Sequence, residues 1–375
     1  MQLLYYMPFK PMGHHNPSGD LVTGTELFTH LQRRGHDIRP VSRLRCRWIY
    51  YRPLTLLRLL AERVRIVGLY RGRTPDLWLS YHSYYKAPDL LGPGCARRLG
   101  IPYAIFQGIY STKRKKQWRT LPGFLLNRAS LRAADRVFTN KKRDLKNLQR
   151  LLPPERLSYI APGIQPEQFR FSLDWREKLR HTWGVNERVV VMTAAMMRPG
   201  VKTAGIAQVI SAVAELYQAG LPVSLVVAGD GSGWSELHRV GKQLPGEHIR
   251  FLGRIPREEL SHFYSAADIF AFPGVDESLG MVYLEAQSCR LPVVALEDWG
   301  GGEAVLAGKT GMLSPASRPD QFTINIAELV RQPERRRRMG EAAAQHIVEH
   351  HDLQANYAAL EQGLQDLTGR KFRAS

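Results

Sequence analysis

The first half of the chain alternates short, β-rich apolar runs with longer stretches whose apolar residues recur at helical spacing. Runs at 3–7, 77–82, 102–106, 136–139 and 158–160 predict strands, and segments 24–34, 54–70, 90–99 and 124–134 predict helices. Gly35 closes the first of these helices, as glycine commonly does just past a helix end. Such alternation argues for βαβ units around a parallel sheet. Pro162-Gly163 and the polar stretch to about Asn186 read as a linker, after which the rhythm restarts. Buried strands are expected at 189–193, 223–228, 249–252, 269–272 and 292–296, with helices at 205–218, 235–244, 257–266 and 281–289. Three helical stretches finish the chain, at 321–331, 334–349 and 353–367. The second of them carries four consecutive arginines, Arg335 to Arg338, which read as a solvated helix face. Two α/β halves, each able to bury its own core, predict a ligand cleft between them.

Composition narrows the function. A chain of 375 residues suits two domains, and its apolar content of 44% is that of an ordinary globular protein. The three cysteines, Cys46, Cys95 and Cys289, are widely spaced and form no CxxC or Cys/His cluster. That excludes a disulfide framework or zinc site as the organising feature and fits a reducing compartment. The first residues lack a basic leader and read as a β-strand, not a signal peptide, and no apolar run is long enough to span a bilayer. The net charge of +19 is unevenly placed: residues 1–170 hold 31 Lys and Arg against 10 Asp and Glu, and the remainder holds 22 against 24. The basic field thus belongs to the N-terminal half and calls for an anionic partner there. Basic residues mix with aromatics and leucines at 43–58 and again at 113–119, a pattern expected to lie on an anionic bilayer. No nucleic-acid motif or stacking ladder of aromatics is present, so no nucleic-acid partner is expected.

The chemistry concentrates at 269–305. A buried strand ends in Pro273-Gly274, a polar loop carries Glu277, and Gly280 opens a helix that carries Glu285. A helix N-terminus offers unpaired N–H groups and a partial positive charge, enough to cradle a diphosphate without a metal. Glu277 is placed to accept hydrogen bonds from sugar hydroxyls, and Glu285 from a ribose diol.

This segment resembles the donor-site signature of the retaining nucleotide-sugar glycosyltransferases of family 4, with the GT-B fold. Other stretches, in order, are similar to the same family: Ser18-Gly19-Asp20, Leu31 to Asp37, Gly229-Asp230-Gly231, Phe251 to Ile255, Leu291 to Ala295, Gly300 to Glu303 and Lys309 to Leu313. The resemblance covers almost the whole chain. It implies two Rossmann-like domains facing across a cleft: a basic acceptor domain at 1–170, a donor domain at 171–350, and a C-terminal helix at 351–375 packing back on the first. It implies that Glu277 holds the transferred sugar, that Glu285 binds the ribose, and that the N–H groups of Leu279, Gly280, Met281 and Val282 face the diphosphate. Lys202 and Arg198 would neutralise that diphosphate; Gly229, Arg254 and Ile255 would border the base; Gly19 would sit near phosphate and acceptor. No cofactor or metal is expected, only a UDP- or GDP-linked sugar as substrate. The acceptor is expected to be a lipid-linked or cell-surface glycan, reached from the cytoplasm at the inner face of the plasma membrane.

Two positions depart from the family pattern. Met197 stands where an arginine is usual, with Arg198 beside it as substitute. Gln107 stands where the family often has histidine, and an amide cannot act as a base. His82, after the preceding strand, is the other candidate for acceptor or base, and His14-His15 form a third polar pair after the first strand. The departures leave open a catalytically impaired nucleotide-sugar-binding protein; the basic pI leaves a nucleic-acid-binding protein as the weaker alternative. The glutamate pair and its following glycines argue against an epimerase on the same fold.

Overall fold

The computed structural model describes residues 1–14, 19–73, 75–185 and 187–369. Two compact units emerge, Met1–Ala161 with the chain from Ala355 onward, and Pro162–Gln354. Each is built on a six-stranded, fully parallel sheet.

In the first unit the strands are β1 (Gln2–Tyr6), β2 (Asp37–Pro40), β3 (Leu77–Ser83), β4 (Tyr103–Gly108), β5 (Arg136–Thr139) and β6 (Leu157–Tyr159), in spatial order β2-β1-β3-β4-β5-β6. The intervening helices are α1 (Gly19–Arg33), α2 (Pro53–Tyr70), α3 (Gly92–Leu99), α4 (Leu121–Ala133) and α5 (Lys142–Leu148). Every residue of β3 is buried, as expected for a parallel strand covered on both faces. Its two serines are satisfied inside the core, Ser83 by donating to Asn127 Oδ1 at 2.9 Å. The Ser80 hydroxyl donates to the buried Asp89 carboxylate, which also accepts from Tyr103 Oη at 2.8 Å and from the Gly92 amide at 2.8 Å. Direction along the sheet reverses between β1 and β3, a topological switch point.

The second unit repeats this plan. Its strands are β7 (Val189–Ala194), β8 (Val223–Ala228), β9 (Ile249–Gly253), β10 (Ile269–Ala271), β11 (Val293–Leu296) and β12 (Gly311–Ser314), ordered β12-β11-β10-β7-β8-β9. The switch point lies between β7 and β10. Helices α6 (Leu173–Trp183), α7 (Val201–Gln218), α8 (Trp234–Gly241), α9 (Leu260–Ala266), α10 (Met281–Ser288), α11 (Gly300–Ala304), α12 (Pro319–Arg331) and α13 (Pro333–His350) complete it. The last helix, α14 (Leu353–Gly369), joins the first unit: Glu361 accepts from Arg34 Nε at 3.1 Å and lies 2.9 Å from His36 Nε2.

Three expectations need correction. The stretch read as a linker to about Asn186, itself outside the described residues, contains α6. Ser172 caps that helix by accepting the Trp175 amide at 3.3 Å, and Gly184, at φ 66°, closes it in the left-handed region. The boundary between units falls at Ala161/Pro162, not after residue 170, because Ile164 and Phe169 are buried in the second core. The segment at 257–266 is a 3₁₀ turn at Arg257–Glu259 followed by α9, not one helix.

A buried charge cluster ties α6 to the second sheet. Asp268 accepts from Arg176 Nη2 at 2.6 Å, Arg180 Nη1 at 2.8 Å and the Val190 amide at 2.8 Å. Burial pushes its carboxyl up, but the two guanidiniums and the amide win and hold it below the ordinary carboxylate range. A depressed carboxyl adds stability that is present above its unfolded pKa and lost as pH falls through the folded one. Asp268→Asn therefore costs about 3–5 kcal/mol near neutral pH by leaving the buried Arg180 and the partly buried Arg176 without their carboxylate. The gap to the wild type narrows below about pH 4, as urea melts at both pH values would register.

Candidate functional site

The second unit carries its polar machinery at the carboxyl ends of β7, β8, β9 and β10. After β10 the chain turns at Pro273-Gly274 and re-enters a helix at Gly280. Both glycines have positive φ, 69° and 65°, and a Cβ on either would strike the Tyr283 ring. Tyr283 is fully buried, and its hydroxyl donates to the Phe272 carbonyl at 3.0 Å. The loop between the glycines thus wraps around one aromatic peg and presents Glu277, whose amide donates to the Gly274 carbonyl at 2.9 Å. Among the described residues no protein acceptor takes the N–H groups of Gly280, Met281 or Val282, so the start of α10 is open to an anion.

Lys202, in the first turn of α7 across the switch point, reaches Glu277 and forms an ion pair with it. Its ammonium also lies 5.4 Å from the centre of the Phe272 ring. Arg198 is exposed, and its carbonyl is anchored by the Thr203 amide at 3.2 Å and hydroxyl at 2.8 Å. Met197, at the position where the family usually has an arginine, is a core residue. It is fully buried, its amide donates to Asp230 and its carbonyl accepts the Gly233 amide. Asp230 holds a turn, with Oδ1 accepting its neighbour Gly231 amide at 2.6 Å.

Beside these residues opens a cavity of about 500 Å³, whose lining includes Ala195, Gly229, Arg254, Ile255, Tyr264 and Val282. Four of these six are residues picked out from the sequence. Gly229, at φ 137°, crosses so close to the Ala195 carbonyl that no side chain fits. Glu285 is buried one turn into α10. Its carboxylate accepts from Arg257 Nε at 3.2 Å and from Tyr264 Oη at 3.4 Å. Burial dominates and raises the Glu285 pKa, while the Arg257 charge and hydrogen bond and the Tyr264 hydroxyl pull it back. Sequence reasoning missed Arg257 and Tyr264 as partners of Glu285, and nothing in their local pattern marks them.

The remaining candidates lie in the first unit. Gly19 begins α1, with open space where a Cβ would be. His82 and Gln107, at the ends of neighbouring strands β3 and β4, are both buried and both left-handed, with φ of 65° and 60°. Two adjacent non-glycine residues of this kind mark a site held under strain. His82 Nδ1 lies 3.2 Å from Asp20 Oδ1. Burial raises the Asp20 carboxyl, but the hydrogen bond and charge of His82, with Lys141 and Lys10, hold it below its ordinary value. His82 is flanked by the rings of Phe9 and Tyr84, at 5.5 and 4.8 Å. His15 and Ser18 lie outside the described residues. Among the described residues no group of three or more His, Cys, Asp or Glu side chains converges as metal ligands would.

The comparisons with known proteins agree with this layout. The model of the family glycosyl transferases group 1 matches residues 180–346. A D-inositol 3-phosphate glycosyltransferase 1 of Catenulispora acidiphila is 30% identical over 306 residues, covering 75% of this chain and 72% of the relative. A GDP-mannose-dependent alpha-(1-6)-phosphatidylinositol monomannoside mannosyltransferase of Mycolicibacterium smegmatis is 34% identical over 198 residues, 51% of each chain. Anabaena Alr3699/HepE, solved in complex with UDP, superposes with a TM-score of 0.71 at 17% identity, over 98% of this chain and 100% of that one. At that identity the likeness speaks for the two-domain α/β fold. The chain spans about half the length of several curated relatives that it matches. It belongs to the glycosyl transferases group 1 family.

The Glu285 environment makes a prediction independent of any ligand. Removing the Arg257 charge favours the neutral carboxyl, so Arg257→Met moves the Glu285 titration to still higher pH. A ¹³C NMR titration of labelled glutamate carboxyls, with Glu285→Gln to assign the resonance, reads this directly. An unmoved midpoint in the variant removes Arg257 from the account.

Proposed function

We propose that the protein transfers a sugar from a UDP- or GDP-linked donor, with retention at the anomeric carbon, to a phosphate-bearing or lipid-linked acceptor used in cell-surface glycan synthesis. The observation that carries this reading is the Lys202–Glu277 pair at the switch point, beside the open start of α10 and the pocket holding Gly229, Arg254, Ile255 and Val282. In this reading the nucleoside occupies the pocket, and its ribose diol donates to Glu285. The diphosphate meets the N–H groups of Gly280, Met281 and Val282, with Leu279 beside them. Lys202 and Arg198 add the balancing charge. Glu277 exchanges its ammonium partner for hydroxyls of the transferred sugar. As the glycosidic bond breaks, negative charge grows on the leaving diphosphate, and these fixed donors favour that state over the ground state. The reaction so drawn takes its positive charge from the chain itself, without a metal.

The acceptor reading rests on charge. The first unit holds the basic excess, and both curated relatives above carry phosphorylated inositol compounds in their printed names. In this reading Gly19, His82 and Gln107 serve the acceptor, with His82 and Asp20 replacing the base that Gln107 cannot be. A second reading, sugar-nucleotide binding without transfer, is favoured by Gln107 alone.

Membrane association has its own support. Leu54, Leu57, Leu60 and Val64 sit exposed on one side of α2, and Trp118 is 74% exposed after the basic turn Thr112–Lys116. The Tyr51 hydroxyl donates to the Arg119 carbonyl at 2.7 Å, joining the two patches. No described helix is long and apolar enough to cross a membrane. The proposed place of work is the inner face of the plasma membrane, with the protein peripheral.

Calorimetry with UDP- and GDP-sugars in the absence of divalent ions is expected to identify one donor, lost in Glu285→Ala. Lys202→Ala is expected to slow transfer by about 10²–10³-fold, and His82→Ala to slow transfer while donor affinity stays within about twofold of wild type. Donor binding without transfer by the wild-type chain would establish the second reading. For the membrane, co-sedimentation with phosphatidylglycerol vesicles but not phosphatidylcholine vesicles is expected, weakened at high salt and lost in Leu57→Glu/Val64→Glu; equal pelleting by wild type and variant ends that part of the proposal.

A further inference from the structure

The four consecutive arginines of α13 play no part in the reaction above, and the structure separates their roles. Arg335 pairs with Glu328. Arg337 pairs with Glu334 at 3.1 Å and Glu341 at 2.8 Å. Arg336 turns inward, half-buried, and its Nη1 donates to the Leu329 and Val330 carbonyls at 2.6 and 3.2 Å. There it borders a cavity of about 430 Å³ within the second unit, whose lining also includes Phe171, Arg176, Asp268, Arg290 and Arg337.

The charges around this cavity do not cancel. Its carboxylates are Asp268, Glu334 and Glu341. Asp268 is taken by Arg176 and Arg180, and the two glutamates are both engaged by Arg337. Arg336 meets only carbonyls. Arg290 follows α10 in the left-handed region, φ 62°, and its guanidinium lies 5.1 Å from the centre of the Phe171 ring, with no carboxylate in contact among the described residues. Two guanidiniums therefore border one cavity without an anionic partner, on a unit whose overall charge is close to balanced. Burial is the main cause that lowers the Arg336 pKa, with Arg176 and Arg180 acting in the same direction and Asp268 against them, so a bound anion there offsets the cost of holding the charge. Guanidinium forks suit phosphate oxygens in particular.

We propose that this cavity is a second anion-binding site, for a small phosphorylated molecule held by Arg290 and Arg336. It sits at the far end of α10 from the proposed diphosphate position, separated by about 12 Å of helix. Its volume falls in the range of small-molecule pockets. Arg176 supports it through Asp268, and Phe171, itself part of the lining, packs beside the Arg290 guanidinium.

Inorganic pyrophosphate titrated by calorimetry at fixed ionic strength is the test. The donor site also attracts pyrophosphate, so the Lys202→Ala chain is titrated alongside the wild type. The expected result is binding by both, and affinity at least about tenfold weaker in Arg290→Gln and Arg336→Gln made on the Lys202→Ala background. Arg290→Gln is the decisive variant, because that side chain is exposed and makes only the ring contact; thermal melts verify that both variants fold. The proposal is overturned if the arginine variants bind as their parent does, if Lys202→Ala alone abolishes the heat, or if the wild type binds no pyrophosphate. None of these outcomes touches sugar-donor binding, which Arg290→Gln leaves at the wild-type value.

Discussion

The packing of Tyr283 against the chain reversal after β10 governs the geometry of the second unit's site. A buried phenol that donates to the Phe272 carbonyl fixes the first turn of α10 relative to the strand end. Gly274 and Gly280 are both required because each passes directly over that ring, and each is left-handed. Between these fixed points only five residues remain, and one of them is Glu277. Gly300 then closes the loop from the other side, its amide donating to the Glu277 carbonyl at 3.0 Å. Among the described residues no protein group accepts from the backbone N–H groups of Gly280, Met281 and Val282 at the start of α10.

Charge follows from this backbone arrangement. Lys202, from α7, and Glu277, from the loop before α10, stand on either side of the switch point between β7 and β10, and each is the other's partner. A pair of this sort is held ready: neither group has to be extracted from a tightly packed interior, since both side chains remain about a quarter exposed. Glu285 works under the opposite condition. It is buried, so its ionised form depends on Arg257 and Tyr264, two residues from the segment between β9 and β10.

How much of this was legible in the sequence follows from what each residue packs against. The parallel strands were visible because continuous apolar runs such as 189–194 have nowhere to go except a doubly covered sheet. Helix α6 was not visible, because the one residue it fully buries is Arg180, a cation that the sequence cannot distinguish from a solvated one. Strand β2 was missed for a similar reason: only Ile38 of its four residues is buried. In the site, Glu277, Gly280 and Glu285 lie within one turn-and-helix segment, so their relation is local and could be read. Arg257 and Tyr264 meet Glu285 only through tertiary packing. The departure at Met197 has a packing reason that spacing alone does not show: the residue is the buried support of the Gly231–Gly233 turn.

The two units obey one topological rule with different chemistry. In both, direction in the sheet reverses beside the first strand, and polar groups gather at the carboxyl ends next to that reversal. In the second unit the reversal places an uncapped helix start, a cation and a carboxylate together. In the first it places His82 against Asp20, with Gln107 on the adjoining strand. The left-handed backbone at both His82 and Gln107 is unfavourable for side chains of that size, and β3 and β4 are otherwise regular and fully buried. Nothing in the core requires that departure: Tyr81 pairs with Phe106 and Ser83 with Gly108 in register on either side of it. The strain is confined to the two residues whose side chains carry the unit's polar strand-end chemistry, and Asp20 anchors one of them from α1. His82 stands one strand away from Gln107, its Nδ1 3.2 Å from Asp20 Oδ1 and its ring between those of Phe9 and Tyr84, so the two strained strand ends share one polar corner fixed from α1.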